Sequence, residues 1–201
     1  LIERVKSFLQ KRKDQDRYRG FRLMEDRIDF CSNDYLGFSR YEPLHKSVSQ
    51  YLLDHPELSF GSSGSRLLSG HHEVSEAFEN FLCQFHRAES AVLFNSGYDA
   101  NLGLLSCVIR PGDTVIYDAM IHASMHDGLK MTQANLISFK HNDVSDLADQ
   151  LASASGNCFV LVESYYSMDG DCCLLPEIVD LCQKHQAELI LDEAHATGVW
   201  G

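Results

Sequence analysis

The chain has 201 residues, with 17 Lys and Arg against 29 Asp and Glu and a formal charge of −12. That length suffices for one α/β domain with a full core, or for a domain plus an arm. The acidic balance, without a basic stripe, argues against nucleic acid as a partner. No apolar run approaches the length of a membrane span and no signal-peptide pattern opens the chain, so no membrane partner is expected. The seven cysteines are odd in number and form no CxxC pair, which fits a reducing, cytoplasmic compartment. The chain lacks an initiating Met and stops directly after a polar loop, and it reads as a piece of a longer protein.

Residues 1–13 are charged, with Ile2, Val5, Phe8 and Leu9 at helical spacing, and predict a helical arm. Arg12 to Arg27 is basic and irregular, and Ile28-Asp29-Phe30 is a strand candidate ending in Cys31-Ser32-Asn33-Asp34-Tyr35-Leu36-Gly37. Residues 1–42 are therefore expected to be an arm with a first strand of a smaller domain, and 43–201 a larger domain. Pro43 opens a helix whose buried side is Leu44, Val48, Tyr51 and Leu52. A loop rich in Gly and Ser, Phe60 to Gly70, exposes backbone amides. Val74, Ala77, Phe78, Phe81, Leu82 and Phe85 then form a helical stripe predicted to be core.

Beyond Arg87 the pattern alternates regularly. Strands are predicted at Ala91–Phe94, Thr114–Tyr117, Leu136–Phe139, Phe159–Glu163 and Leu189–Asp192. Helices are predicted at Tyr98 to about Arg110, His122–Met131, Asn142–Leu151 and Pro176–His185. Five alternations with short links predict a mostly parallel sheet with helices on both faces.

Ligands of such sheets sit outside the carboxyl ends of the strands, and four strand ends there carry polar chemistry. Asn95-Ser96-Gly97-Tyr98 is a strand-to-helix turn with free amides suited to phosphate, although Ser-Gly at such a turn also answers to close packing. Asp118 to Ser124 places the His122 imidazole at a helix start, and Glu163 to Asp171 is a polar loop containing Ser167. Asp192 ends a run of apolar residues, with His195 just beyond it. Asp192 and His195 also suit a loop-closing cap or a pair of metal ligands. His122 and His126 are spaced for zinc, but lack the Glu of HExxH and a third ligand, so no metal is expected. Ser96 lacks the Gly-x-Ser-x-Gly of a hydrolase nucleophile. An anion site, a flat ring and a buried carboxylate on one sheet edge suit a phosphorylated heterocycle with a protonated ring nitrogen, and pyridoxal 5′-phosphate meets each demand.

Seven motifs resemble, in order, those of the α-oxoamine synthases, fold-type I pyridoxal-phosphate enzymes. They are Asn33-Asp34-Tyr35-Leu36-Gly37, Gly61 to Gly70, Ser96-Gly97-Tyr98-Asp99-Ala100-Asn101, His122-Ala123-Ser124, His141-Asn142-Asp143, Ser167-Met168-Asp169-Gly170-Asp171 and Asp192 to Gly198. The resemblance runs from about residue 17 to the end. It implies that Gly97 and Tyr98 hold the cofactor phosphate, that His122 stacks on the ring, and that Asp192 pairs with the ring nitrogen. Ser167 and His195 would contact the ring hydroxyl. Asn33, His122 and Arg19 would bind substrate, with Arg17 as the rival to Arg19.

The resemblance further implies a homodimer that condenses L-alanine with a pimeloyl thioester, losing CoA and carbon dioxide. Sister reactions join glycine to acetyl-CoA or L-serine to palmitoyl-CoA. The family's Schiff-base lysine lies downstream of the Asp192 motif, and Lys130 and Lys140 read as surface charges. The piece in hand is therefore expected to be inactive alone, and a catalytically dead binding subunit is the non-enzyme alternative.

Overall fold

The computed structural model describes residues 1–21, 28–58 and 61–200, so Phe60 and most of the Arg12–Arg27 stretch's C-terminal half lie outside the described residues. The chain divides into two units, Leu1–Tyr35 and Leu36–Gly201.

In the first unit, helix α1 spans Ile2–Asp14, with Glu3 in its first turn and Lys11, Arg12 and Lys13 in its last. Those charges complement the helix dipole. No residue of α1 is buried, and the stripe Ile2, Val5, Phe8 and Leu9 stays exposed, with the Arg12 guanidinium over the Phe8 ring at 5.0 Å. The strand expected at Ile28–Phe30 does not form. Instead the Asp29 carboxylate accepts the N–H groups of Cys31 (2.8 Å) and Ser32 (3.1 Å), a local turn that competes with extension.

The second unit contains helices α2 (Glu42–Asp54) and α3 (Glu73–His86), then α4 (Gly97–Val108), β1 (Thr114–Asp118), α5 (Ala123–Lys130), β2 (Asn135–Phe139), α6 (Val144–Ser153), β3 (Cys158–Glu163), α7 (Leu175–His185) and β4 (Glu188–Asp192). The four strands form one all-parallel sheet in the order β2-β1-β3-β4. The chain steps from β1 to β2 on one side and returns to β3 on the other, so the topological switch lies between β1 and β3. That is where open α/β sheets hold their ligands.

Helices cover both faces, as expected. On one face α4 and α5 bury Leu105, Ile109, Met125 and Leu129 against Val115 and Leu161. On the other, α6 and α7 bury Leu147, Leu151, Ile178 and Cys182 against Ile116, Val160 and Val162. Successive strand residues alternate between these faces. The helix starts follow local chemistry. Ser96 Oγ accepts Asp99 N–H (3.0 Å) at α4, Asp143 accepts Asp146 N–H (3.0 Å) at α6, and Pro176 lies in the first turn of α7.

Three expectations fail in the second unit. Ala91–Phe94 pairs with no strand among the described residues. Its ladder is replaced by one bond, Leu93 N–H to Glu79 Oε1 at 2.7 Å. The helix stripes of α2 and α3 are not core: Leu44, Val48, Tyr51 and Leu52 are exposed, and Phe78, Phe81 and Phe85 are about half exposed. Spacing shows that a helix has an apolar side, not that a partner covers it. The three phenylalanines instead stack on each other, with centroids 6.2 and 6.1 Å apart.

The glycine-rich loop is tied to α3 by a bidentate ion pair. Arg66 donates to Glu79 Oε1 (2.7 Å) and Oε2 (2.8 Å), and the guanidinium holds the Glu79 carboxyl down to about 2. A side chain at Gly70 would place Cβ 2.0 Å from the Gly64 carbonyl oxygen, so only glycine fits there.

Leu161 is fully buried between α4, α5 and the sheet, whereas Leu136 on edge strand β2 is 40% exposed. Leu161→Ala should cost about 2–5 kcal/mol in denaturant unfolding and Leu136→Ala less than about 1 kcal/mol. Equal losses would contradict the sheet's assigned faces.

Candidate active site

Three adjacent parallel strands end in carboxylates: Asp118 on β1, Glu163 on β3 and Asp192 on β4. Glu163 and Asp192 are register partners, each two residues beyond a side chain in the α4–α5 cluster (Leu161 and Ile190). Both therefore face α4 and α5. Asp118 follows Ile116 of the opposite cluster and faces α6 and α7.

Around Asp192 the side chains form a directed chain. Asn101 of α4 donates its amide to Asp192 Oδ2 (2.8 Å) and to Ser124 Oγ (2.9 Å). With Ser124 Oγ accepting from Asn101, its hydroxyl proton points to His122 Nδ1 (2.7 Å), which also accepts Ser124 N–H (3.2 Å). His122 Nδ1 is thus an acceptor, and the neutral ring carries its proton on Nε2. The second oxygen of Asp192 accepts Ala194 N–H at 2.9 Å.

His122 caps α5, and its ring meets Tyr98 edge to face, with centroids 6.5 Å apart at 84°. Tyr98 OH donates to Asp127, which also takes Lys130 Nζ at 2.6 Å. Lys130 and then Tyr98 lower the Asp127 carboxyl, and that carboxylate raises the Tyr98 phenol. By helix geometry, Gly97 and Tyr98 have no carbonyl one turn back for their N–H groups. A Cβ built on Gly97 would meet nothing within 4 Å, so the amides are open to a ligand. Asp192 at the end of β4 and His122 after β1 are thus joined through Asn101 and Ser124 at the carboxyl edge of the sheet, with Tyr98 of the α4 start against the His122 ring.

Glu163 is 3% exposed and accepts the backbone N–H of His122. Burial first, then the Asp192 charge, push its carboxyl up to about 7. Ser167 lies exposed on the loop after β3, whose base is bonded to β4 through Ser164 N–H to the Asp192 carbonyl (2.9 Å). His195 is partly buried in the turn after β4. Arg17, Arg19 and Asn33 belong to the Leu1–Tyr35 unit, where all three are exposed. Among the described residues, no three His, Cys, Asp or Glu side chains cluster to hold a metal ion.

Sequence reading missed Asn101, Ser124 and Glu163. Asn101 lies one helical turn beyond Gly97 and so shares its face, a spacing that could have flagged it. Glu163 ends an apolar run as Asp192 does, but its pairing depends on register, which a single sequence does not carry.

A model of the aminotransferase class I and II family matches residues 25–201. The 8-amino-7-oxononanoate synthase of Marinobacter nauticus is 38% identical over 174 residues, covering 87% of this chain and 43% of that protein. The structure of 8-amino-7-oxononanoate synthase from Francisella tularensis aligns with TM-score 0.70 at 31% identity, covering 87% of this chain and 47% of that one. Serine palmitoyltransferase from S. paucimobilis with bound PLP–myriocin aldimine aligns with TM-score 0.80 at 28% identity, covering 94% and 52%. The chain spans about half the length of these relatives.

A carboxyl raised from 4.5 to about 7 in the fold binds more protons folded than unfolded. Stability from Glu163 is complete below pH 4.5 and is lost as pH rises through 7, a swing of roughly 3 kcal/mol. Urea unfolding of cofactor-free protein across pH 4.5–8 should show that decline, and Glu163→Gln should flatten it. An unchanged slope in the variant would remove Glu163 as its source.

Proposed function

The chain belongs to the aminotransferase class I and II family, and on that premise we propose that it is the cofactor-binding part of an α-oxoamine synthase. The cofactor is pyridoxal 5′-phosphate, and the reaction is the decarboxylative condensation of L-alanine with a pimeloyl thioester to 8-amino-7-oxononanoate. The observation that carries this reading is the chain from Asp192 through Asn101 and Ser124 to His122, beside the open amides of α4.

The residues present fit the group. When bound, the protonated pyridine ring supplies an electron sink for the pair left at the amino acid's α-carbon. Gly97 and Tyr98 N–H groups bind its phosphate. Asp192, oriented by Asn101 and Ala194 N–H, holds a proton on the ring nitrogen. His122 presents its face to the ring, fixed in one tautomer by Ser124. Ser167 and His195 hold the ring hydroxyl. By the family resemblance, Asn33 would lie near the substrate carboxylate or acyl group, and His122 and Arg19 (or Arg17) would bind substrate. The protein acts as a cytoplasmic homodimer. The match to 8-amino-7-oxononanoate synthases supports these substrates. The serine palmitoyltransferase likeness favours a second reading, L-serine with a long-chain acyl-CoA.

In the whole enzyme, downstream Schiff-base lysine included, CoA release from pimeloyl-, acetyl- and palmitoyl-CoA with L-alanine, glycine and L-serine should be fastest for the alanine–pimeloyl pair. No release with any pair would overturn the reading. Asp192→Asn should lower turnover by at least about a hundredfold while phosphate-end binding of the cofactor survives. Intact turnover in that variant would show that the ring proton is not its task.

A further inference from the structure

On the α6–α7 face lies a second polar cluster that the proposed chemistry does not use. The imidazole of His141, on the loop between β2 and α6, stands between two carboxylates. Its Nδ1 is 2.8 Å from Asp118 Oδ1, and its Nε2 is 3.0 Å from Asp171 Oδ2. Neither carboxylate oxygen can donate when ionised, so only a ring with protons on both nitrogens satisfies both bonds.

Asp118 is fully buried, and its oxygens also accept Met120 N–H (2.8 Å) and Asn142 N–H (2.9 Å). Two backbone donors and a cation account for an anion that burial would otherwise make costly. Asp171 is anchored a second time by Asn142 Nδ2 at 2.5 Å, and the same amide donates to the Cys172 carbonyl (3.1 Å). Asn142 reaches both from a left-handed backbone, φ 53°.

Asp171 closes a small hairpin. Tyr166 N–H bonds to the Asp171 carbonyl and Gly170 N–H to the Tyr166 carbonyl, each at 2.9 Å, and Tyr165 pairs with Cys172. Ser167 rides at its tip. The Tyr166 ring lies edge-on to the His141 ring, centroids 4.5 Å apart. Hence one imidazole joins the end of β1 to the hairpin after β3, across the switch point of the sheet.

We infer that His141 is a positioning residue: as an imidazolium bridging Asp118 and Asp171, it holds the hairpin that carries Ser167 at the carboxyl ends of the strands. Burial lowers the imidazole's affinity for its proton, but the bonds and charges of Asp118 and Asp171 outweigh it, and the net shift is upward. The clamp is therefore complete below the ordinary histidine pKa and is lost as pH rises through the raised one. The other titratable groups around it are Tyr166 and Cys173 of the hairpin, Glu163 on the far side of the strand ends, and Lys140 and Asp143 beside it in sequence. The clamp itself needs no cofactor, and only the role of Ser167 rests on the proposed function.

Two measurements on the cofactor-free protein test it. With 15N-labelled histidine, both His141 ring nitrogens should show protonated shifts at neutral pH, with His141→Gln supplying the assignment. Amide exchange across 164–173, corrected for intrinsic base catalysis, should lose protection about tenfold as the imidazole titrates. In His141→Gln that protection should be low and independent of pH, while Glu163→Gln should keep the wild-type profile. A neutral His141 ring at pH 7, or a pH profile that survives His141→Gln, overturns the proposal. Should the variant fail to fold, the wild-type nitrogen shifts still decide. An intact clamp in a protein that binds no pyridoxal phosphate would count against the proposed function and not against the clamp.

Discussion

The structure turns on the period-two alternation of three strand ends carrying three acids. Because β3 and β4 are in register and β1 is offset by one, Glu163 and Asp192 emerge toward α4 and α5 while Asp118 emerges toward α6 and α7. Within a few ångströms of one another, three carboxyls would repel in a site shielded from water. Separation by the sheet lets each face solve its own problem. The α6–α7 face supplies a cation, His141. The α4–α5 face supplies neutral donors and holds one of its two carboxyls as the acid.

That division explains why the residues beside the acids matter as much as the acids. On the α4–α5 face, Asn101 contributes two amide protons, one to Asp192 and one to Ser124, and so sets the direction of every hydrogen bond out to His122. A charged donor in its place would neutralise Asp192. An amide orients the carboxylate and leaves its charge available to a ligand.

Much of this was legible in the chain. Four of the six expected strands form within a residue or two of their expected bounds, because apolar runs closed by acids or turns need only local pattern to read. The places of Asp192 at a strand end and of His122, Gly97 and Tyr98 at helix starts were legible because apolar runs and turn residues mark those boundaries. What was not legible depends on partners. Ala91–Phe94 has strand composition but no neighbouring strand to pair with among the described residues. Phe78, Phe81 and Phe85 have core spacing but no covering surface. Ile28–Phe30 lost to the side chain of its own Asp29. The His141–Asp118–Asp171 bridge joins residues 23 and 30 apart, and no spacing rule connects them.

The buried Glu163 stands in register beside Asp192. Its protonation removes one negative charge from beside Asp192, whose two oxygens accept from Asn101 and from Ala194 N–H. Burial is the first cause of the raised Glu163 carboxyl and the neighbouring Asp192 charge the second, while the His122 N–H works against them. Asp192, held by Asn101 and Ala194 N–H, lies on the sheet face that carries the open start of α4. A cationic heterocycle with an anionic tail meets complementary charge at both ends of this site: a carboxylate at one end and free amides at the other.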